Sequence, residues 1–296
     1  MNPVASRPAP SVWAVAAALA SVYLVWGSTY LAIRYGLEGY PPFLMGGLRF
    51  IVAGSLFYAV LRLRGHPAPT RAQWRTIAVM GLSMLVLGNG LVNVAEQTVS
   101  SGVAAVAVAS MPLWAGLFGA LRGRQPGRLE WLGLLLGFVG VVWLNLGSEL
   151  RASPVGLLAL LVAPIAWAWG SIWSRGRDLP GAFISTAAQM LCGGVAMTVI
   201  GLGLGERISE PPPLSATLAV GYLAAFGSIV AFSAYVWLLD HVRPALATSY
   251  AYVNPPIAVL LGAWLMHERV GSQAVGAMVV ILAGVLIISR AKARAG

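Results

Sequence analysis

The chain repeats itself at one fixed offset. Trp26-Gly27-Ser28 recurs as Trp169-Gly170-Ser171, and the same spacing of 143 residues pairs Arg34 with Arg177, Pro112 with Pro255, Gly119 with Gly262 and Gly133 with Gly276. Coincidences of Gly are cheap in an apolar sequence, whereas Trp and Arg at one shared spacing are not. Each copy contains five apolar stretches, and roughly 20 such residues cross about 30 Å of hydrocarbon. Five is odd, so the second copy enters the bilayer from the opposite face. The expected fold is an all-α membrane protein of ten transmembrane helices. They form two inverted five-helix repeats, residues 1–148 and 149–296, around a central cavity.

Composition agrees with that reading. Apolar residues make up 58% of the chain and charged residues 9%, with a mean hydropathy of +0.80, well outside the range of soluble domains. The expected spans run over residues 13–33, 43–61, 74–94, 100–121 and 129–146, then 154–173, 182–202, 214–239, 245–266 and 272–289. No soluble domain is left over. The first stretch is longer than a signal-peptide core and lacks a convincing cleavage site, so it is expected to remain as a span.

A formal charge of +10 would suit nucleic acid, but its placement argues for membrane topology instead. Arg34, Arg151, Arg207 and Arg269 fall on one side and Arg49 inside a span. The other basic residues lie at the termini and in the loops after the second, fourth, sixth and eighth spans. The positive-inside rule then places both termini in the cytoplasm. The lone Cys192 can form no intramolecular disulfide and reads as a small packing hydrophobe.

Inverted repeats are typical of secondary transporters, because exchanging the conformations of the halves turns an outward-open state into an inward-open one. Channels also contain them. The W-G-S element in the first span of each half, the Arg at the end of that span, Ser110-Met111-Pro112, Asn254-Pro255-Pro256 and His267-Glu268-Arg269 before a Gly-rich last span together narrow the class. In this order they resemble the EamA family of the drug/metabolite transporter superfamily, over nearly the whole chain. The resemblance implies ten-helix carriers of the bacterial inner membrane that export amino acids and related small metabolites, the YddG-like exporters among them. It also implies a cavity lined mainly by the first, third, fourth, sixth, eighth and ninth helices, and it sets Trp167 at mid-depth in the sixth.

The candidate substrate-binding residues are Trp26, Ser28, Tyr30, Asn89, Asn93, Met111, Trp167, Ser171, Tyr250 and Asn254. Trp26, Tyr30 and Trp167 offer an apolar face with a polar tip. Near span ends, Tyr30 and Trp173 also suit membrane-interface anchoring, and the small residues beside them suit helix packing. Asn89 and Asn93 share one helix face, and an amide facing lipid is costly, so they bond another helix or a substrate. Met111 and Asn254 coincide at the repeat offset, with Tyr250 one turn earlier. Pro112 and Pro255 are the candidate hinges, since a mid-helix proline leaves carbonyls free. Arg49 either snorkels or attracts carboxylates on the external approach. Glu96 reads as solvated, and Asp240, His241 and Arg243, like His267, Glu268 and Arg269, as interfacial caps.

No acidic residue falls at mid-membrane, which favours facilitated movement over proton-coupled efflux; Glu96 and the histidines are the reserve proton sites. A passive channel and a membrane enzyme are the remaining alternatives. The enzyme reading lacks a catalytic set: His66, His241 and His267 all lie in loops, no H-E-x-x-H is completed, and the Gly201-x-Gly203-x-Gly205 run follows no strand. No cofactor and no metal are expected. The partners are a small-molecule substrate and the lipid bilayer, and a monomer suffices, since both halves share one chain.

Overall fold

A computed structural model describes residues 10–98, 104, 107–144, 146, 153–266 and 271–291, with side chains omitted at 258, 259 and 262–266. The helices are α1 (Val12–Leu37), α2 (Pro42–Leu63), α3 (Arg71–Ala95), α4 (Ala107–Leu121), α5 (Arg128–Leu144), α6 (Pro154–Ser174), α7 (Ala182–Gly203), α8 (Leu214–His241), α9 (Tyr250–Met266) and α10 (Ser272–Arg290). Of these, α1, α2, α3, α6, α7, α8 and α10 are long and apolar enough to cross a bilayer, and α4 is a shorter apolar helix. No strand occurs among the described residues.

Local chemistry sets the ends. Ser11 and Ser153 accept from Ala14 N and Gly156 N at the starts of α1 and α6, and Thr70 with Gln73 forms a capping box at α3. Glu206, from the loop after α7, accepts from Phe43 N (3.2 Å) and Leu44 N (2.8 Å), placing a carboxylate on the free amides that open α2. Gly65 and Gly205, both at φ +83°, end α2 and α7 in the left-handed region that a side chain would resist.

Two pairs of helices that match at the repeat offset pack directly on each other. Helices α2 and α7 meet where a Cβ on Gly194 would lie 2.8 Å from Ile51 N and one on Gly54 3.0 Å from Ala187 O. Helices α5 and α10 meet where a Cβ on Gly284 would lie 2.6 Å from Gly137 N and one on Gly133 2.8 Å from Gly284 O. Such backbone-to-backbone approach replaces the hydrophobic drive that lipid removes.

Several boundaries differ from expectation. The ninth helix begins at Tyr250, after a separate turn at Pro244–Ala247, because the chain breaks at Thr248 and Ser249. In α4 the break falls at Ser110, and Pro112 is the second residue of the Met111–Leu121 segment, where a missing N–H costs nothing. Pro255 and Pro256 do lie inside α9, as does an unforeseen Pro164 inside α6. Finally, α3 and α8 follow π geometry over Gly81–Gly90 and Leu223–Val230. Shifted by the repeat offset, these two stretches largely coincide. π turns are rare and collect at functional sites.

Candidate functional site

The π stretch of α3 lines a cavity of about 90 Å³, several times the ~10–15 Å³ that a single water needs, and the π stretch of α8 stands behind Arg49 on its wall. Its wall brings together Trp26, Tyr30, Asn89, Met111, Trp167, Tyr250 and Asn254 from α1, α3, α4, α6 and α9. Thr29, Ile33, Arg49, Gly88, Val92, Val108, Ala163 and Pro164 complete it. Gly88 admits the Trp167 ring, whose Cε3 would lie 2.6 Å from a Cβ there.

Below the cavity the aromatic rings form a layer. Trp26 packs edge-on against Trp167 (5.7 Å between centroids) and Tyr250 (4.6 Å), and tilted against Tyr235 (5.3 Å). Phe232 closes the cluster against Trp167 at 5.9 Å. Hydrogen bonds hold the orientations: Trp26 Nε1 donates to Gly227 O at 2.9 Å, and Trp167 Nε1 to Tyr235 Oη at 3.2 Å. Beyond this layer, towards the ends of α4, α6 and α8, opens a vestibule of about 930 Å³ that includes Arg124, Arg175, Asp240 and Arg243.

The polar atoms on the cavity side are notably unpaired. Asn89 Oδ1, Asn254 Oδ1 and Arg49 Nη1 are all enclosed without a hydrogen-bond partner. A buried polar group left unmade costs ~1–3 kcal/mol. All three belong to residues that line the cavity, so unpartnered polar atoms stand beside the space that a polar occupant would enter.

Three of the expected residues stand behind the wall. Ser28 pairs with Tyr222 Oη at 2.6 Å and also donates to Val25 O. Ser171 pairs with Tyr235 Oη at 2.7 Å. Asn93 Nδ2 donates to Pro42 O at 3.2 Å, tying α3 to the start of α2. These groups share a helix with wall residues but are rotated towards other helices.

Arg49 is the largest departure. It does not snorkel: it is 3% exposed, its Nε donates to Ser228 Oγ at 2.8 Å, and its guanidinium lies 4.6 Å from the Phe50 ring centre. The signal available in the sequence was the arginine itself, inside a span and matched at the repeat offset by Cys192. Thr29 and Pro164 carried no comparable signal. Glu96 is half-buried, with Oε1 enclosed and unpartnered in the field of Arg34, so it is not simply solvated. Arg243 is more than a solvated cap: Nη1 lies 3.2 Å from Glu130 Oε1, across the halves, and Nη2 donates to Ile288 O. His267, Glu268 and Arg269 lie outside the described residues.

Apolar helices crossing in glycine-lined pairs around a cavity of aromatic and amide groups mark a polytopic membrane protein. The chain belongs to the EamA-like transporter family, whose pattern matches it twice, over residues 12–146 and 154–290. It is 45% identical over 276 residues to the inner membrane transporter YedA of Escherichia coli K12, covering 93% of this chain and 90% of that one. It is 27% identical over 244 residues to the transporter YdfC of Bacillus subtilis, covering 81% and 79%. It is 25% identical over 272 residues to the protein PecM of Dickeya dadantii, covering 89% and 88%. A protein of known crystal structure shares the fold with a TM-score of 0.78 at 22% identity, covering 94% of this chain and 96% of that one. The chain is thus a multi-pass inner membrane transporter, not an enzyme.

Proposed function

We propose that this chain exports amino acids and related small metabolites by facilitated alternating access. The observation that carries the reading is the cavity wall, where the rings of Trp26, Tyr30, Trp167 and Tyr250 alternate with the unpartnered oxygens of Asn89 and Asn254. An amide oxygen accepts from an ammonium, and the rings shelter an apolar side chain. Met111 fills the remaining side, while Ser28, Asn93 and Ser171 hold the wall helices in register.

In this reading the chain spans the membrane ten times, with residues 1–148 and 149–296 inverted relative to each other and both termini in the cytoplasm. One half rocks against the other, with the break at Ser110–Pro112 and the Pro255 kink as hinges, and a monomer completes the cycle. No carboxylate lines the cavity among the described residues, which supports facilitated flux over proton coupling.

The test is counterflow of labelled amino acids in liposomes, with and without a pH gradient. Saturable exchange that ignores the gradient is expected. Accumulation driven by the gradient would replace facilitated export with proton coupling and direct attention to Glu96. Non-saturating flux would make the protein a channel, and no exchange of any amino acid by folded protein would reject the substrate class.

A further inference from the structure

Arg49 poses a problem of charge. It lies within a span, 3% exposed, and among the described residues no carboxylate stands within ion-pair distance of it. An uncompensated guanidinium in a membrane interior is costly and marks function. The fold nevertheless builds a seat for it. Ser228, in the π stretch of α8, turns its Oγ to accept from Nε while donating to Leu223 O at 3.0 Å. Gly227 leaves room for Nη2, which would lie 3.2 Å from a Cβ at that position. Nε is satisfied, but neither Nη1 nor Nη2 has a hydrogen-bond partner among the described residues, and Arg49 lines the cavity wall. Buried donors of a purely structural side chain are as a rule bonded.

We infer that Arg49 is the anion-binding residue of the cavity and that the transported molecule carries a carboxylate. The inference rests on the proposed transport reading for its site and deepens it. The ligand's carboxylate supplies the missing counter-charge and accepts a charge-assisted hydrogen bond from the unpartnered Nη nitrogens, while the Asn89 and Asn254 oxygens accept from its other polar end. Cationic amines and neutral sugars, which satisfy the rings and amides equally well, then fail at Arg49. Ser228 acts as a positioning residue through Arg49.

Binding can be read without flux, by thermal unfolding of the purified full chain in detergent with matched pairs of probes: leucine against leucinamide, and phenylacetate against phenylacetamide. The acids are expected to stabilise the wild type with at least tenfold higher apparent affinity than the amides. Arg49→Gln should remove that preference, and Arg49→Lys should retain part of it. Cys192→Ser, the matching position in the other half, should bind as the wild type does. Amides that bind as well as acids, an Arg49→Gln protein with unchanged preference, or no binding by any of the four probes would overturn the inference. The acid-against-amide comparison needs no variant, so a misfolded Arg49→Gln leaves it decisive. Arg49-dependent acid binding without amino-acid counterflow would reject the transport reading alone, whereas counterflow indifferent to the carboxylate would reject Arg49 alone.

Discussion

In the first half α2 carries Arg49 into the cavity wall; 143 residues on, α7 carries Cys192, half-buried and packed near Gly81 of α3. The tryptophans diverge in the same way. Trp26 is 7% exposed at the centre of the aromatic layer, while its repeat partner Trp169 is 38% exposed and stacks on Trp173. The second half supplies Trp167 instead, two positions earlier and on the opposite side of the helix. Meanwhile the glycine crossings of α2 with α7 and of α5 with α10 remain alike in kind. Duplication preserved how the backbones approach, since both halves meet there and each is the other's partner. Side chains around one shared centre had no such constraint, because a single ligand needs each contact once.

The strongest way to break the comparison is at the crossing itself. Gly284→Leu forces a side chain against the Gly137 backbone, beyond the ~1–3 kcal/mol of ordinary overpacking, and should abolish the monodisperse protein in size-exclusion chromatography. Gly221→Leu, with nothing within 4 Å of its Cβ position, should elute as the wild type does. Equal behaviour of the two would mean that the halves do not meet as described.

A smaller effect sharpens the contrast between tryptophans. Trp167→Ala should lower counterflow at least tenfold while folding and insertion persist, and Trp169→Ala should leave it nearly unchanged; a tenfold change corresponds to ~1.4 kcal/mol. Wild-type flux from Trp167→Ala would remove that residue from the site.

The smallest effect concerns the far ends of α5 and α10. Glu130 pairs with Arg243, whose other nitrogen reaches Ile288 O of α10, whereas its repeat partner Gln273 donates to Trp143 O and Leu146 O at the end of α5. Each half thus ties down the end of the other's last helix, one with a charge and one with an amide. Glu130→Gln makes the two ends alike and should destabilise the protein by ~0.5–1 kcal/mol, read as a slightly lowered Tm, because Arg243 loses its counter-charge while the amide oxygen can still accept. An unchanged Tm would show that the ion pair adds nothing to the amide-like tie.

Much of the site's cast could be read from residue type. An amide or an indole nitrogen in a lipid-crossing helix must find a partner, which is why Asn89, Asn254, Trp26 and Trp167 stood out and why the cavity gathers them. The same reasoning could not separate Asn89 from Asn93, one turn apart on one face. Asn93 is at a depth where Pro42 O is available, and depth depends on the neighbouring helix. Ser28 and Ser171 were turned away by tyrosines on α8 in the same manner.

The sequence by itself determined the apolar segments and the duplication, because these follow from segment length and recurrence at one offset. Tertiary structure alone decided the π stretches of α3 and α8, the seat that Gly227 and Ser228 make for Arg49, and which face of each helix meets the cavity. Each of these spans is apolar over most of its surface, so only a few polar positions in the sequence constrain its rotation. That rotation, and the bonding of each turn, is set by the helices packed against it.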